Sequence, residues 1–133
     1  MSNIVVVGAG QAAASLAASL RALGHPGSIT LVGDEPFHPY ERPPLSKGYL
    51  TGKLERHRLE LHPPSFYAQH GIDVLTGVRI EHIDRGAKVV EGGGRRLAYD
   101  TLVLATGSSP RRLPSRIGGD LPGVHVIRTL SDI

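Results

Sequence analysis

The sequence has 133 residues, with 15 lysines and arginines against 12 aspartates and glutamates, a formal net charge of +3, and no cysteine. This length is typical of one domain and is short for an enzyme that uses two nucleotides. The absence of cysteine excludes a disulfide framework, a thiolate metal site and a redox dithiol within the chain.

The first predicted element is a strand that leads through a glycine turn into a helix. Residues 4–7 are apolar and β-branched without alternation, which suits a parallel strand buried on both faces. Gly8 permits a tight turn, and Gly10 lets the backbone approach a pyrophosphate on the free amides at the start of the helix. Ala13 takes the place of a third glycine, where close packing of helix and strand is the only requirement. The stretch predicts a dinucleotide site.

A second strand with an acidic end supports this prediction, because a glycine fingerprint alone is a weak indication. Helical spacing of leucines continues to Gly24, and residues 29–32 form the next predicted strand. Asp34 and Glu35 follow about 20 residues after the glycines, where an acid would accept hydrogen bonds from ribose hydroxyls. One of the two is expected to make that bond. An acid here favours a free 2′-hydroxyl, as in FAD or NAD, over a 2′-phosphate.

A proline-rich loop and a third strand come next. Four prolines in residues 36–50 forbid regular structure through the first half of that segment. Pro44 is predicted to open a short helix that carries Lys47 and stops before Gly52. Residues 53–58 are polar and expected to be exposed. A helix is predicted from residues 63–64 to His70, followed by a strand at 72–75.

The period of the apolar residues then changes to two. Segments 79–83, 87–91 and 95–99 are separated by turn-forming residues, which predicts an antiparallel meander. Residues 100–107 are predicted to be another buried strand ending in small residues, and residues 131–133 resemble the start of a helix. The fold class expected is therefore α/β: a Rossmann-like parallel sheet with helices on both faces, plus an antiparallel β-meander.

Four segments, taken together, resemble the N-terminal FAD-binding part of the ferredoxin and rubredoxin reductase family, within the two-dinucleotide-domain FAD/NAD(P) oxidoreductases. These segments are residues 8–10, 40–47, 99–107 and 127–130, and the proline-lysine motif of 40–47 is the most specific. The resemblance implies that residues 1–133 are the N-terminal portion of a FAD-binding domain. The family's NAD(P)H domain, its returning FAD strand and its C-terminal domain have no counterpart in these residues.

The resemblance also implies which residues contact FAD. By carry-over these are Gly8, Gly10, Ala12, Asp34 or Glu35, Arg42, Lys47, Ile80 and Arg128, with backbone contributed by Ala105, Thr106 and Gly107. Lys47 is expected beside the flavin ring as the catalytic residue, where a cation stabilises the negative charge of reduced flavin.

The implied reaction passes hydride from NAD(P)H to FAD and then single electrons to a small iron-sulfur ferredoxin or rubredoxin. The lack of cysteines separates the chain from the glutathione-reductase branch of the superfamily, which uses a dithiol. No second glycine fingerprint is present to hold a nicotinamide, so the chain alone is not expected to turn over. An uncovered strand edge near residues 101–105 is expected to promote self-association.

Two alternatives remain open at this stage. One is a non-catalytic nucleotide-binding or interaction module related to apoptosis-inducing factor, and the other is a simple NAD-binding domain. Lys47 favours the reductase over the first, and the meander favours it over the second. Neither a metal site nor a nucleophilic serine is indicated, and small scattered basic groups do not predict nucleic-acid binding. With no signal segment and no membrane-spanning apolar run, we expect a cytoplasmic protein that does not bind membranes.

Overall fold

The computed structural model describes residues 2–133, and the chain divides into two compact units. The first unit contains the chain up to Tyr40 together with Glu60–Gly107, and the second contains Glu41–Leu59 and Ser108–Ile133. All α-helices and β-strands belong to the first unit. No helix among the residues described is long and apolar enough to cross a membrane.

The first unit contains one parallel sheet and one antiparallel sheet. In chain order its elements are β1 (Ile4–Val7), α1 (Gln11–Ala22), β2 (Ile29–Val32), α2 (Pro64–Gln69), β3 (Ile72–Leu75), β4 (His82–Asp84), β5 (Val89–Gly92), β6 (Arg95–Ala98) and β7 (Thr101–Leu104). The parallel sheet has the order β3-β2-β1-β7, and the antiparallel sheet has the order β4-β5-β6. The expected α/β class, with a parallel sheet and a meander, is confirmed.

The two faces of the parallel sheet are covered by different elements. Side chains alternate along a strand, so Val6 of β1 joins one core cluster and Val5 the other. The first cluster includes Ala13 of α1 and Tyr67 of α2, and the second includes Val90 of β5. Both helices therefore lie on one face and the meander covers the other, whereas the sequence predicted helices on both faces. The meander replaces a helix because its alternating apolar residues form a sheet with an apolar face.

The short helix predicted from Pro44 differs in extent and type. The structure has a 3₁₀ helix at Pro43–Ser46, and Lys47 leaves it with φ −132° and ψ −114°. A second 3₁₀ helix at Arg56–Leu59 begins inside the segment 53–58, which is exposed as predicted apart from the half-buried Leu54, and it ends at the buried Leu59 just outside that segment. Proline fits the first turn of such a helix, whereas the glycines at 48 and 52 favour turns over its continuation.

The last strand of the sheet is shorter and more exposed than predicted. β7 ends at Leu104 and lies at the edge of the sheet, and the Leu104 residue is 61% exposed. Among the residues described, no strand pairs with its outer edge. The apolar run had predicted a buried strand, whereas the uncovered edge expected near residues 101–105 agrees with the position of β7 in the sheet. Self-association through this edge stays a prediction.

Arg21, near the end of α1, joins two distant parts of the first unit. Its Nε and Nη2 donate to the carbonyls of His70 and Gly71, each at 2.7 Å. Its Nη1 donates to the carbonyls of His25, at 2.7 Å, and Gly27, at 2.8 Å. One guanidinium thus fixes the loop after α1 and the turn between α2 and β3.

The hydroxyl of Tyr67 is buried and has no hydrogen-bond partner among residues 2–133. Burial, together with the negative charge of Glu60, raises the pKa of Tyr67 to about 12. We expect Tyr67→Phe to raise the free energy of unfolding by about 1 kcal/mol, because an unsatisfied buried hydroxyl is removed and the ring is kept. Urea unfolding followed by circular dichroism measures the change.

Tyr99→Phe is the control for this prediction, since Tyr99 packs against the other core cluster and its hydroxyl is not buried without a partner. The control should leave stability within about 0.5 kcal/mol. Destabilisation by Tyr67→Phe would show that the hydroxyl is hydrogen-bonded in solution, for example to an ordered water.

Candidate nucleotide-binding site

The turn after β1 requires glycine. Gly8 has φ +118°, and a Cβ at this position would lie 1.9 Å from the carbonyl oxygen of Ala105. The Ala105 amide donates to the Val7 carbonyl at 2.8 Å, which holds the two chain segments together. The predicted site segments at 8–10 and 105–107 therefore lie side by side at the carboxyl ends of β1 and β7. Ligands of open parallel sheets bind at this end of the strands.

The start of α1 is open to an anion. No side chain caps the helix, and its first turn contains no acidic residue. A Cβ on Gly10 would meet no atom within 4 Å, so the space in front of the helix is free of protein there. The amides of the first turn have no acceptor within the helix, and Ala12 beside them is exposed. This combination fits a diphosphate, whose charge the helix dipole favours. Ala13 is fully buried, as its packing role predicts.

The two acids after β2 both have partners within the protein. Asp34 Oδ2 accepts a hydrogen bond from Arg79 Nη1 at 3.1 Å, and the side chain of Asp34 is 56% exposed. Glu35 Oε2 accepts a hydrogen bond from the hydroxyl of Tyr40. Asp34 therefore has the more accessible carboxylate, although both acids lie at the same end of the sheet as Gly8.

Arg79 is the residue at this site that the sequence did not indicate. It lies beside Asp34 because the amides of Gly77 and Val78 donate to the carbonyls of Glu35 and Gly33, both at 2.9 Å. The strand β4 begins at His82 and not at Arg79, where the sequence predicted the first segment of the meander to begin. The neighbouring Ile80 is half-buried and packs against the cluster on the meander side. Only the folded chain brings residues 77–80 to the end of β2, so no local motif could have identified Arg79.

The second unit contains the three predicted cationic site residues. Lys47 is exposed, and its Nζ donates to the Pro43 carbonyl at 3.2 Å and to Ser46 Oγ at 3.3 Å. Arg42 and Arg128 are brought together, since Arg42 Nη1 donates to the Arg128 carbonyl at 2.8 Å.

A glycine turn, an uncapped helix start and an acid after the second strand, all at the carboxyl edge of a parallel sheet, define a dinucleotide-binding α/β domain. The chain belongs to the pyridine nucleotide-disulphide oxidoreductase family, which it matches over residues 2–133.

Relatives in this family are reductases that are much longer than this chain. Rhodocoxin reductase of Rhodococcus erythropolis is 47% identical over 131 residues, which cover 98% of this chain and 30% of that protein. Putidaredoxin reductase of Pseudomonas putida is 44% identical over 133 residues, covering 98% of this chain and 32% of that protein. The chain thus spans about a third of the length of these relatives.

Comparison with solved structures likewise identifies reductases as relatives of this chain. The chain superposes on a covalent putidaredoxin reductase–putidaredoxin complex with a TM-score of 0.91 and 44% identity, over 98% of this chain and 32% of that one. A ferredoxin reductase from Rhodopseudomonas palustris gives a TM-score of 0.89 at 36% identity, over 99% of this chain and 32% of that one. The family resemblance predicted from the sequence is confirmed.

Proposed function

We propose that this chain is the FAD-binding portion of an NAD(P)H-dependent ferredoxin or rubredoxin reductase. The observation that carries the proposal is the open, uncapped start of α1 beside Gly8, in a chain that is 47% identical over 131 residues to rhodocoxin reductase. Bound FAD supplies the conversion of a two-electron hydride donor into two single-electron steps. Small iron-sulfur proteins are the proposed acceptors, because relatives are named for rubredoxin and putidaredoxin.

The residues of the first unit bind and orient the dinucleotide in this proposal. The amides of α1 receive the diphosphate, and Gly8 and Gly10 leave room for it. The Asp34 carboxylate, and not that of Glu35, accepts a hydrogen bond from a ribose hydroxyl, because Asp34 is the more exposed of the two. Residues 105–107 and Ile80 contribute backbone groups. A cytoplasmic location is proposed as well, supported by a sequence without cysteine.

The cations of the second unit hold the charged parts of the flavin cofactor. Lys47 stabilises negative charge on the ring, for which its exposed ammonium is chemically suited. Its two hydrogen bonds, to Pro43 and Ser46, keep the side chain folded onto its own 3₁₀ helix. Arg128 offers a guanidinium for the diphosphate, and Arg42 stands next to it.

Titration of the purified chain with FAD and with NADH tests the choice of nucleotide. We expect FAD to bind at least about tenfold more tightly than NADH, a difference of about 1.4 kcal/mol. The reason is that Lys47 and Arg128 supply cations suited to a flavin dinucleotide, whereas the sequence contains no second glycine fingerprint to hold a nicotinamide. Quenching of flavin fluorescence and isothermal titration calorimetry give the two constants. Tighter binding of NADH would contradict the assignment.

A further inference from the structure

The main chain and the side chain of Arg128 are fixed by three different residues of the second unit. The Arg128 amide donates to Asp132 Oδ2 at 2.8 Å, and the Arg128 carbonyl accepts from Arg42 Nη1 at 2.8 Å. Its side-chain Nε donates to the carbonyl of Ser108 at 3.0 Å. An arginine held at its amide, its carbonyl and its Nε has little freedom to change the direction of its guanidinium.

The hydrogen bond at the Arg128 amide comes from a local turn that includes Asp132. Asp132 Oδ2 also accepts the amide of Thr129 at 2.7 Å and the Thr129 hydroxyl at 3.2 Å, which closes a capping box around the 3₁₀ helix Leu130–Asp132. The amides of Thr129 and Arg128 hold the pKa of the Asp132 carboxyl below its ordinary value. The carboxylate is therefore the favoured form, and an ionised acceptor makes the stronger hydrogen bonds.

The end of the guanidinium is left available. Among residues 2–133, neither Nη of Arg128 has a hydrogen-bond partner, and the residue is half-buried. Two parallel N–H groups on a fixed plane match the two oxygens of a phosphate, and such bidentate pairs need the orientation to be set in advance. The diphosphate, with one negative charge on each phosphate, is the anionic group that a flavin dinucleotide presents.

We propose that Asp132 and Arg42 are positioning residues, which fix the direction of the Arg128 guanidinium so that its two Nη groups can pair with a phosphate group of the dinucleotide. The inference rests on the proposed function, because it takes the ligand to be a dinucleotide. It assigns Arg42 a role through Arg128, whereas the sequence suggested a direct contact between Arg42 and FAD.

The test compares FAD with riboflavin, which lacks both phosphates, on the complete chain and its variants. We expect Asp132→Asn to lower FAD affinity about tenfold, as expected for the loss of charge-assisted hydrogen bonds around Arg128. Arg42→Gln, which changes the hydrogen bond to the Arg128 carbonyl, should lower FAD affinity by a similar factor. Riboflavin affinity should change less than about twofold in both, because only phosphate recognition is altered. Asp132→Glu should restore part of the FAD affinity, since the charge is kept.

Matched controls are Asp120→Asn and Arg116→Gln, exposed residues of the same unit whose side chains make no hydrogen bond or ion pair within residues 2–133. Both should bind FAD like the parent chain. Equal FAD affinity in Asp132→Asn and Asp120→Asn, or a parallel loss of riboflavin binding, would overturn the positioning role. Failure of the parent chain to bind FAD would instead refute the proposed function, and the inference with it. If Asp132→Asn does not fold, Arg42→Gln decides alone.

Discussion

Replacing Gly8 with alanine is expected to lower the free energy of unfolding by about 3–5 kcal/mol and to abolish nucleotide binding. Two effects add. A residue with a Cβ is strained at φ +118°, and the new methyl group would lie 1.9 Å from the carbonyl oxygen of Ala105. The segment 105–107 would have to move away from β1, which separates two parts of the proposed site. Urea unfolding and a flavin fluorescence titration of the same variant measure the two losses.

Gly94→Ala separates the conformational effect from the collision. Gly94 also has a positive φ, +72°, but a Cβ there would meet no atom within 4 Å. This control should cost only about 1 kcal/mol and leave FAD binding unchanged. Equal stability of the two variants would mean that Ala105 does not approach Gly8 as closely as described.

The second large effect is expected at Arg21. Arg21→Met should lower the free energy of unfolding by about 2–4 kcal/mol, because four carbonyl groups lose a charged donor while the length of the side chain is kept. Arg21→Lys should recover less than half of the loss, since one ammonium cannot reach the carbonyls of both His25 and His70 with the geometry of a guanidinium. Urea unfolding monitored by circular dichroism checks both variants.

Arg85→Met is the control for the loss of one positive charge, since Arg85 is exposed in a turn of the meander. It should change stability by less than about 0.5 kcal/mol. A similar small change for Arg21→Met would show that the four hydrogen bonds contribute nothing net against water.

Local sequence was sufficient to predict most of the parallel sheet and the glycine turn after β1. The predicted bounds of β1, β2 and β3 agree with the structure because each is a short run rich in apolar residues that ends next to a glycine or threonine. Gly8 was identified because its requirement for glycine is a property of the backbone at one position, and Gly10 because it belongs to the same short motif. The motif around Lys47 was likewise contained in one continuous segment.

The failures concern features that depend on residues far apart in the chain. The apolar run of β7 predicted a buried strand, whereas the 61% exposure of Leu104 depends on which distant parts of the chain cover the end of that strand. Arg21 lies on the helix as an ordinary basic residue, and its partners at 70 and 71 come from a later turn. The roles of Arg79 and Asp132 were missed for different reasons. Arg79 lies beside Asp34 only in the folded chain. The capping box of Asp132 is local, and Thr129 three residues earlier makes it recognisable from the sequence.

The position of β1 in the sheet has a consequence for the order in which the chain folds. β1 is an inner strand whose two edges pair with β2 and β7, and the link between Asn3 and Asp100 beside it spans 97 residues. Pairing with β2 closes a much shorter loop, so it has the smaller entropic barrier and comes first, during synthesis as well as refolding. Until β7 pairs with β1, the backbone groups along one edge of Ile4–Val7 have no partner, and all four residues of this strand are apolar and β-branched. We therefore expect misassembly of nascent chains to be concentrated at the first strand and to decline once β7 has paired with it.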